Sequence, residues 1–145
     1  MKNPWKWITA VPLLCVSIAS CSKPSAPPPG SEEAELEAIA RTEFTSRLEN
    51  FFEYEPLRSG KPSQVRIHLT DLSDGSPVEM AEVTLAVRPR GSPEVLARTT
   101  SRIGKVTGIY VAELRIPKAG DYDIEFHIKN DKLDERMPLS DFSVE

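Results

Sequence analysis

Four segments of the chain alternate apolar and polar residues with a period of two. Clusters of turn-forming residues separate them, and the whole pattern repeats within about 100 residues. Together these observations predict an all-β protein: an Ig-like antiparallel two-sheet sandwich of about seven strands. The predicted domain covers residues 43–145, after a leader at 1–20 and a linking stretch at 21–42.

The strands follow from the alternation. In Ser63–Asp71, Val65, Ile67 and Leu69 alternate with Arg66, His68 and Thr70. In Glu82–Arg88, Val83, Leu85 and Val87 alternate with Thr84, Ala86 and Arg88. Tyr110, Ala112, Leu114 and Ile116 repeat the pattern, as do Tyr122, Ile124, Phe126 and Ile128. Each segment has one apolar and one polar face, as expected of antiparallel strands with one side in a core. Weaker candidates are Leu48–Tyr54, Val95–Thr100 and a run near Met137–Val144. Turn residues at Ser73–Pro77 are expected to close the first strand pair, and those at Pro89–Pro93 the second. Pro117–Asp121 joins two clear strands, and Lys129–Lys132 follows the last of them. One sheet alone cannot bury four apolar faces, whereas two facing sheets can.

The preceding residues read differently. Lys2 and Lys6 give a positive start, and Ile8–Ile18 is an apolar run of eleven residues. A membrane-spanning helix needs about 20, so this run has the length of a signal-peptide core. Ile18-Ala19-Ser20-Cys21 follows it and resembles the lipobox of bacterial lipoproteins. That resemblance implies cleavage before Cys21, diacylglycerol on its sulfur and acylation of the new amino terminus. Two or more acyl chains would hold the protein stably on a bilayer. Ser22 follows the cysteine where inner-membrane lipoproteins of Gram-negative bacteria carry Asp, so the outer membrane, facing the periplasm, is the expected destination.

Four prolines between Ser22 and Gly30 favour an extended tether of about 28 Å. Ser31–Thr42 is helix-prone: Ser31 can cap, Glu32 and Glu33 suit a helix N-terminus, and Leu36, Ile39 and Ala40 share a face. The stripe is narrow, and only a turn or two of marginal helix is expected.

Charge and chemistry narrow the function. The net charge is −4 over 145 residues, and loss of Lys2 and Lys6 with the leader leaves 16 basic against 22 acidic residues. There is no basic cluster for a phosphate backbone, so nucleic acid is not an expected partner. Only Cys15 and Cys21 exist. With Cys15 in the leader and Cys21 lipidated, the domain would have neither a disulfide nor a thiolate site. No nucleophile elbow or Gly-rich phosphate loop is present, so no catalytic residue and no cofactor is expected. His68 and His127 occupy polar positions of strands and are the candidate metal ligands. On neighbouring strands they could face each other and bind a copper-type ion, with Met80 or Met137 as thioether donors. Two ligands are too few for a tight site, so two solvent-exposed histidines are the expected reading and no bound metal is expected.

Residues Phe52–Asp74 carry a resemblance. The Glu53-Tyr54 pair, then Gly60-Lys61-Pro62-Ser63 and Thr70-Asp71-Leu72, resemble the N-terminal segment of periplasmic adaptor subunits of RND-type efflux pumps, mainly the heavy-metal branch. Gly75–Val78, Ala81–Leu85 and Ala119–Tyr122 continue the likeness, which spans roughly residues 50–130. They also resemble the FixH/YtkA-like small extracytoplasmic β-domains. Adaptors continue into a barrel, a lipoyl-like domain and a helical hairpin, whereas this sequence stops at Glu145. The resemblance therefore implies a lipid-anchored, non-catalytic accessory module associated with an efflux system. A periplasmic metal carrier using His68 and His127, and a truncated adaptor without transport role, are the alternatives.

Overall fold

The computed structural model describes residues 37–145. The predicted leader, Cys21, the proline tether and the start of the helix-prone stretch lie outside the described residues. Nine strands follow in chain order: β1 (Ile39–Phe44), β2 (Leu48–Tyr54), β3 (Pro62–Asp71), β4 (Glu82–Pro89), β5 (Ala97–Thr100), β6 (Arg102–Ile103), β7 (Ile109–Arg115), β8 (Gly120–Lys129) and β9 (Asp134–Val144). They form two antiparallel sheets, ordered β1-β2-β3-β7-β6 and β5-β4-β8-β9.

This is an Ig-like sandwich by strand order. β2-β3-β7-β6 stand where an immunoglobulin domain has A-B-E-D, and β4-β8-β9 stand where it has C-F-G. β1 and β5 are added at the edges. A second mark of the fold is the tyrosine corner: Tyr122, near the start of β8, donates its hydroxyl to the Lys118 carbonyl at 2.8 Å. The described residues contain no cysteine, and the core is held by side-chain packing. Val65, Ile67, Leu69, Val83, Leu85, Tyr110, Leu114, Tyr122, Ile124 and Phe126 are all buried, as their alternation predicts. At the centre Phe52 meets Phe126 at 4.9 Å between ring centroids, with Phe142 and Tyr54 alongside.

Three sequence expectations are corrected. Residues 39–42, expected to be helix-prone, form most of β1. Ile39 and Thr42 are β-branched, and pairing six residues against β2 supplies the partners that a lone short helix lacks. Among the described residues the first strand of the sandwich starts at Ile39, ahead of Glu43. Arg41 fixes this added edge: it ion-pairs with Glu43 at 2.5 Å, lies 4.8 Å over the Phe142 ring and donates to the Ser140 carbonyl across the opening between the sheets. Ser73–Pro77 does not close a hairpin, because β3 and β4 belong to different sheets; residues 72–81 cross between them. Periodicity reports a strand's faces and not its partner, which is how this crossover reads as a hairpin. The strand count rises to nine through β1 and the two-residue β6.

The two ends of the sandwich differ. At the proximal end the chain enters at Ile39, opposite Tyr54. The 55–61 loop lies there too, tied to the C-terminus by Ser59 N–H donating to the Glu145 carbonyl at 2.6 Å. At the distal end are the 45–47 turn, the 72–81 crossover, the 104–108 turn and the 130–133 turn.

Candidate functional site

The distal loops are fastened to one another by side chains whose types suit the task. Thr45 caps its own turn, its hydroxyl accepting from the Leu48 N–H at 3.0 Å. Asp71 and Asp74 each accept from the N–H two residues ahead, Ser73 at 2.8 Å and Ser76 at 2.9 Å, as Asp does in tight turns. Gly75, with φ 74°, completes the reversal. Asn130 holds its turn by accepting from the N–H groups of Lys132 and Leu133, and it donates to the Glu79 carbonyl at 3.0 Å. That last bond joins the 130–133 turn to the crossover.

Tyr110 secures the crossover from beneath. Its buried hydroxyl donates to the Val78 carbonyl at 2.8 Å and accepts from the Ala81 N–H at 3.0 Å. Burial pushes the Tyr110 pKa up, so the hydroxyl stays protonated and able to donate. Gly108 touches the other side of the loop: a Cβ there would sit 2.6 Å from the Pro77 Cβ, and its φ is 78°. With Glu79 held by Asn130 and Ala81 by Tyr110, Met80 between them is turned outward. It has φ 50° and is 77% exposed. The left-handed conformation costs a residue with a side chain roughly 1 kcal/mol or more, and such outliers collect at binding sites.

Between the crossover and the 130–133 turn runs an open groove of ≈ 800 Å³. Its charged lining is Asp71, Asp74, Glu79 and Asp131 against Arg47 and Lys132. Arg47 is engaged by Asp71 at 3.7 Å and by the Lys132 carbonyl at 3.3 Å. Hydrogen bonds from Ser73, aided by Arg47, hold the Asp71 carboxyl below its ordinary range, and hydrogen bonds from Ser76 do the same for Asp74. Both are therefore anions at neutral pH. Such a site can accept hydrogen bonds and attract cations. Of the exposed large hydrophobic residues, Phe44, Leu72, Met80 and Val106 lie at this distal end, with Ile103 on the short strand leading to it. Ile39 and Leu96 lie toward the other end.

The histidines do not meet. His68 is on β3, facing outward from the first sheet, with its ring against Phe51 at 5.2 Å and Nε2 4.0 Å from Glu53. His127 is on β8, facing outward from the second sheet, with Nε2 2.7 Å from Asp134. β3 and β8 belong to different sheets, so the two histidines do not face each other and cannot share one ion. Met137 is buried, its sulfur accepting from Asn50, and Met80 is at the distal end. Among the described residues no group of three or more His, Cys, Asp or Glu is placed to hold a metal ion. Among the same residues no helix is long and apolar enough to cross a membrane. Cys21 lies outside them.

The residues that shape the distal end were not legible as a site. Asn130 reads as a turn residue and Tyr110 as core. A methionine amid turn residues at position 80 was the one available sign. Comparison of the chain with protein-family models, with curated proteins and with solved structures gave no match.

Proposed function

We propose that this protein is a lipid-anchored, non-catalytic binding module of the bacterial envelope, held by acylated Cys21 and facing the periplasm. In this reading the outer membrane carries the anchor. The distal end of the sandwich receives an envelope protein, a component of an RND-type efflux system. The observation that carries the reading is the gathering of exposed apolar side chains, Phe44, Leu72, Met80 and Val106, at the end that also holds the groove, opposite the point where the chain enters. The first described strand starts at the proximal end, where Ile39 pairs with Tyr54. Loops set on a rigid sandwich are a common place for binding residues, and loops fastened beforehand lose little freedom when a partner docks. The efflux assignment is supported by the likeness of residues 52–74 to pump adaptors.

The test uses the full-length protein extracted from membranes in a neutral detergent. Intact-mass analysis is expected to find acyl chains on Cys21, and affinity capture to recover an efflux component. The double variant Leu72→Ser/Met80→Ser is expected to lose that component while keeping its melting temperature, since both side chains are exposed. An unmodified Cys21, or capture unchanged in the variant, would contradict the proposal.

A further inference from the structure

We infer that the occupant of the distal groove is an extended, basic segment of the partner protein, in which Lys or Arg alternates with apolar residues. The inference rests on the binding-module reading and adds the chemistry of what is bound.

Shape comes first. The groove is an open trough between two loops, not an enclosed cavity; Met80 lines it, and Leu72 is exposed on the same crossover. A trough open along its length leaves one side of a bound molecule in water, and it can receive successive side chains of a strand-like segment. Met80 suits such an occupant, because an unbranched thioether adapts to the alkyl stems of lysine or to aliphatic side chains.

Charge then selects among segments. Among the described residues, Asp74, Glu79 and Asp131 have no basic side chain within 4.0 Å. Arg47 is already engaged by Asp71, which leaves Lys132 as the groove's other cation. The lining is thus net negative, and the two aspartates whose carboxyls are held low by serine hydrogen bonds remain charged at neutral pH. An acidic segment, a phosphate group or an anionic lipid surface would be repelled. A basic segment would gain charge complementarity at the rim, where it raises association rate and selects against wrong partners.

The backbone is also prepared. Asn130 and Tyr110 fix the crossover on both sides of Met80 before anything binds. The cost of ordering the backbone therefore falls mainly on the partner.

Fluorescence anisotropy with the full-length protein in neutral detergent tests the inference. The probes are a labelled peptide of alternating lysine and leucine, the same peptide with glutamate for lysine, and spermidine as competitor. The lysine peptide is expected to bind and the glutamate peptide not to. Glu79→Gln/Asp131→Asn is expected to weaken binding about tenfold, since two rim charges are removed. Added salt is expected to weaken the wild type more than the variant. Equal binding of both peptides, or unchanged affinity in the variant, would overturn the inference. Displacement of the lysine peptide by spermidine at equal concentration would overturn it too, by showing a site for small cations. Partner capture that depends on Leu72 and Met80 but not on Glu79 and Asp131 would sink this inference alone. Loss of that dependence on Leu72 and Met80 would sink the binding-module reading itself.

Discussion

Replacing Tyr110 with phenylalanine removes one oxygen and keeps the ring in the core. The oxygen is bonded to the Val78 carbonyl at 2.8 Å and to the Ala81 N–H at 3.0 Å. Val78 and Ala81 are 4% and 7% exposed, so water does not readily replace the lost partner. Each buried group left unsatisfied costs about 1–3 kcal/mol, and two such groups give about 2–4 kcal/mol after partial relaxation. For a domain of this size about 1 kcal/mol shifts the melting temperature by about 4–8 °C, so Tyr110→Phe should lower it by about 8–30 °C. Val78 keeps its own N–H bond to the Leu69 carbonyl, so the damage should centre on residues 79–81. Circular dichroism melting of the full-length protein gives the first readout, and amide hydrogen exchange of Ala81 gives the second. A melting shift under about 2 °C with Ala81 exchange unchanged would refute the claim that Tyr110 fastens the distal loops.

Three further outcomes follow from the same packing. Asn50 is fully buried with its Oδ1 unpartnered, so Asn50→Leu, of similar volume, should stabilise by about 1–2 kcal/mol in denaturant melts; destabilisation would show that the amide has a partner the packing conceals. Truncation to residue 36 should leave the melting temperature unchanged, whereas truncation through Phe44 removes β1 and the Arg41 contacts on Phe142 and should lower it clearly. Equal stability of the two products would return the domain boundary to Glu43. Asp71, Asp74 and Asp134 have carboxyls held low by hydrogen bonds from Ser73, Ser76 and His127 respectively. Depressed folded-state values mean that their contribution is present at neutral pH and is lost as pH falls through the folded values, below the ordinary 3.8. Acid titration followed by hydrogen exchange should therefore loosen the 71–76 and 130–134 turns below that range, and loosening already complete at pH 5 would contradict it.

The sandwich was legible because its signal is periodic. Val65, Ile67 and Leu69 announce a half-buried strand without reference to any neighbour. Pairing across sheets is not local, which is why Ser73–Pro77 reads as a hairpin although it crosses to the second sheet. The same blindness lets His68 and His127 look like neighbours when they lie on opposite faces. β1 was missed because Ile39-Ala40-Arg41-Thr42 has no alternation; its place is set by an edge partner and by Arg41 reaching Phe142 and Ser140. The groove was out of reach for a similar reason, since Glu79 is brought beside the 130–133 turn by the bond from Asn130, a contact between residues far apart in sequence.

The account stands most directly on which end of the domain meets a partner in the cell. A photoreactive residue placed at Met80, at the distal end, and in a separate strain at Leu96, toward the proximal end, makes the comparison with two exposed positions. The account predicts a covalent adduct with an efflux component from position 80 and none from position 96. An adduct from position 96 and none from position 80 would contradict it.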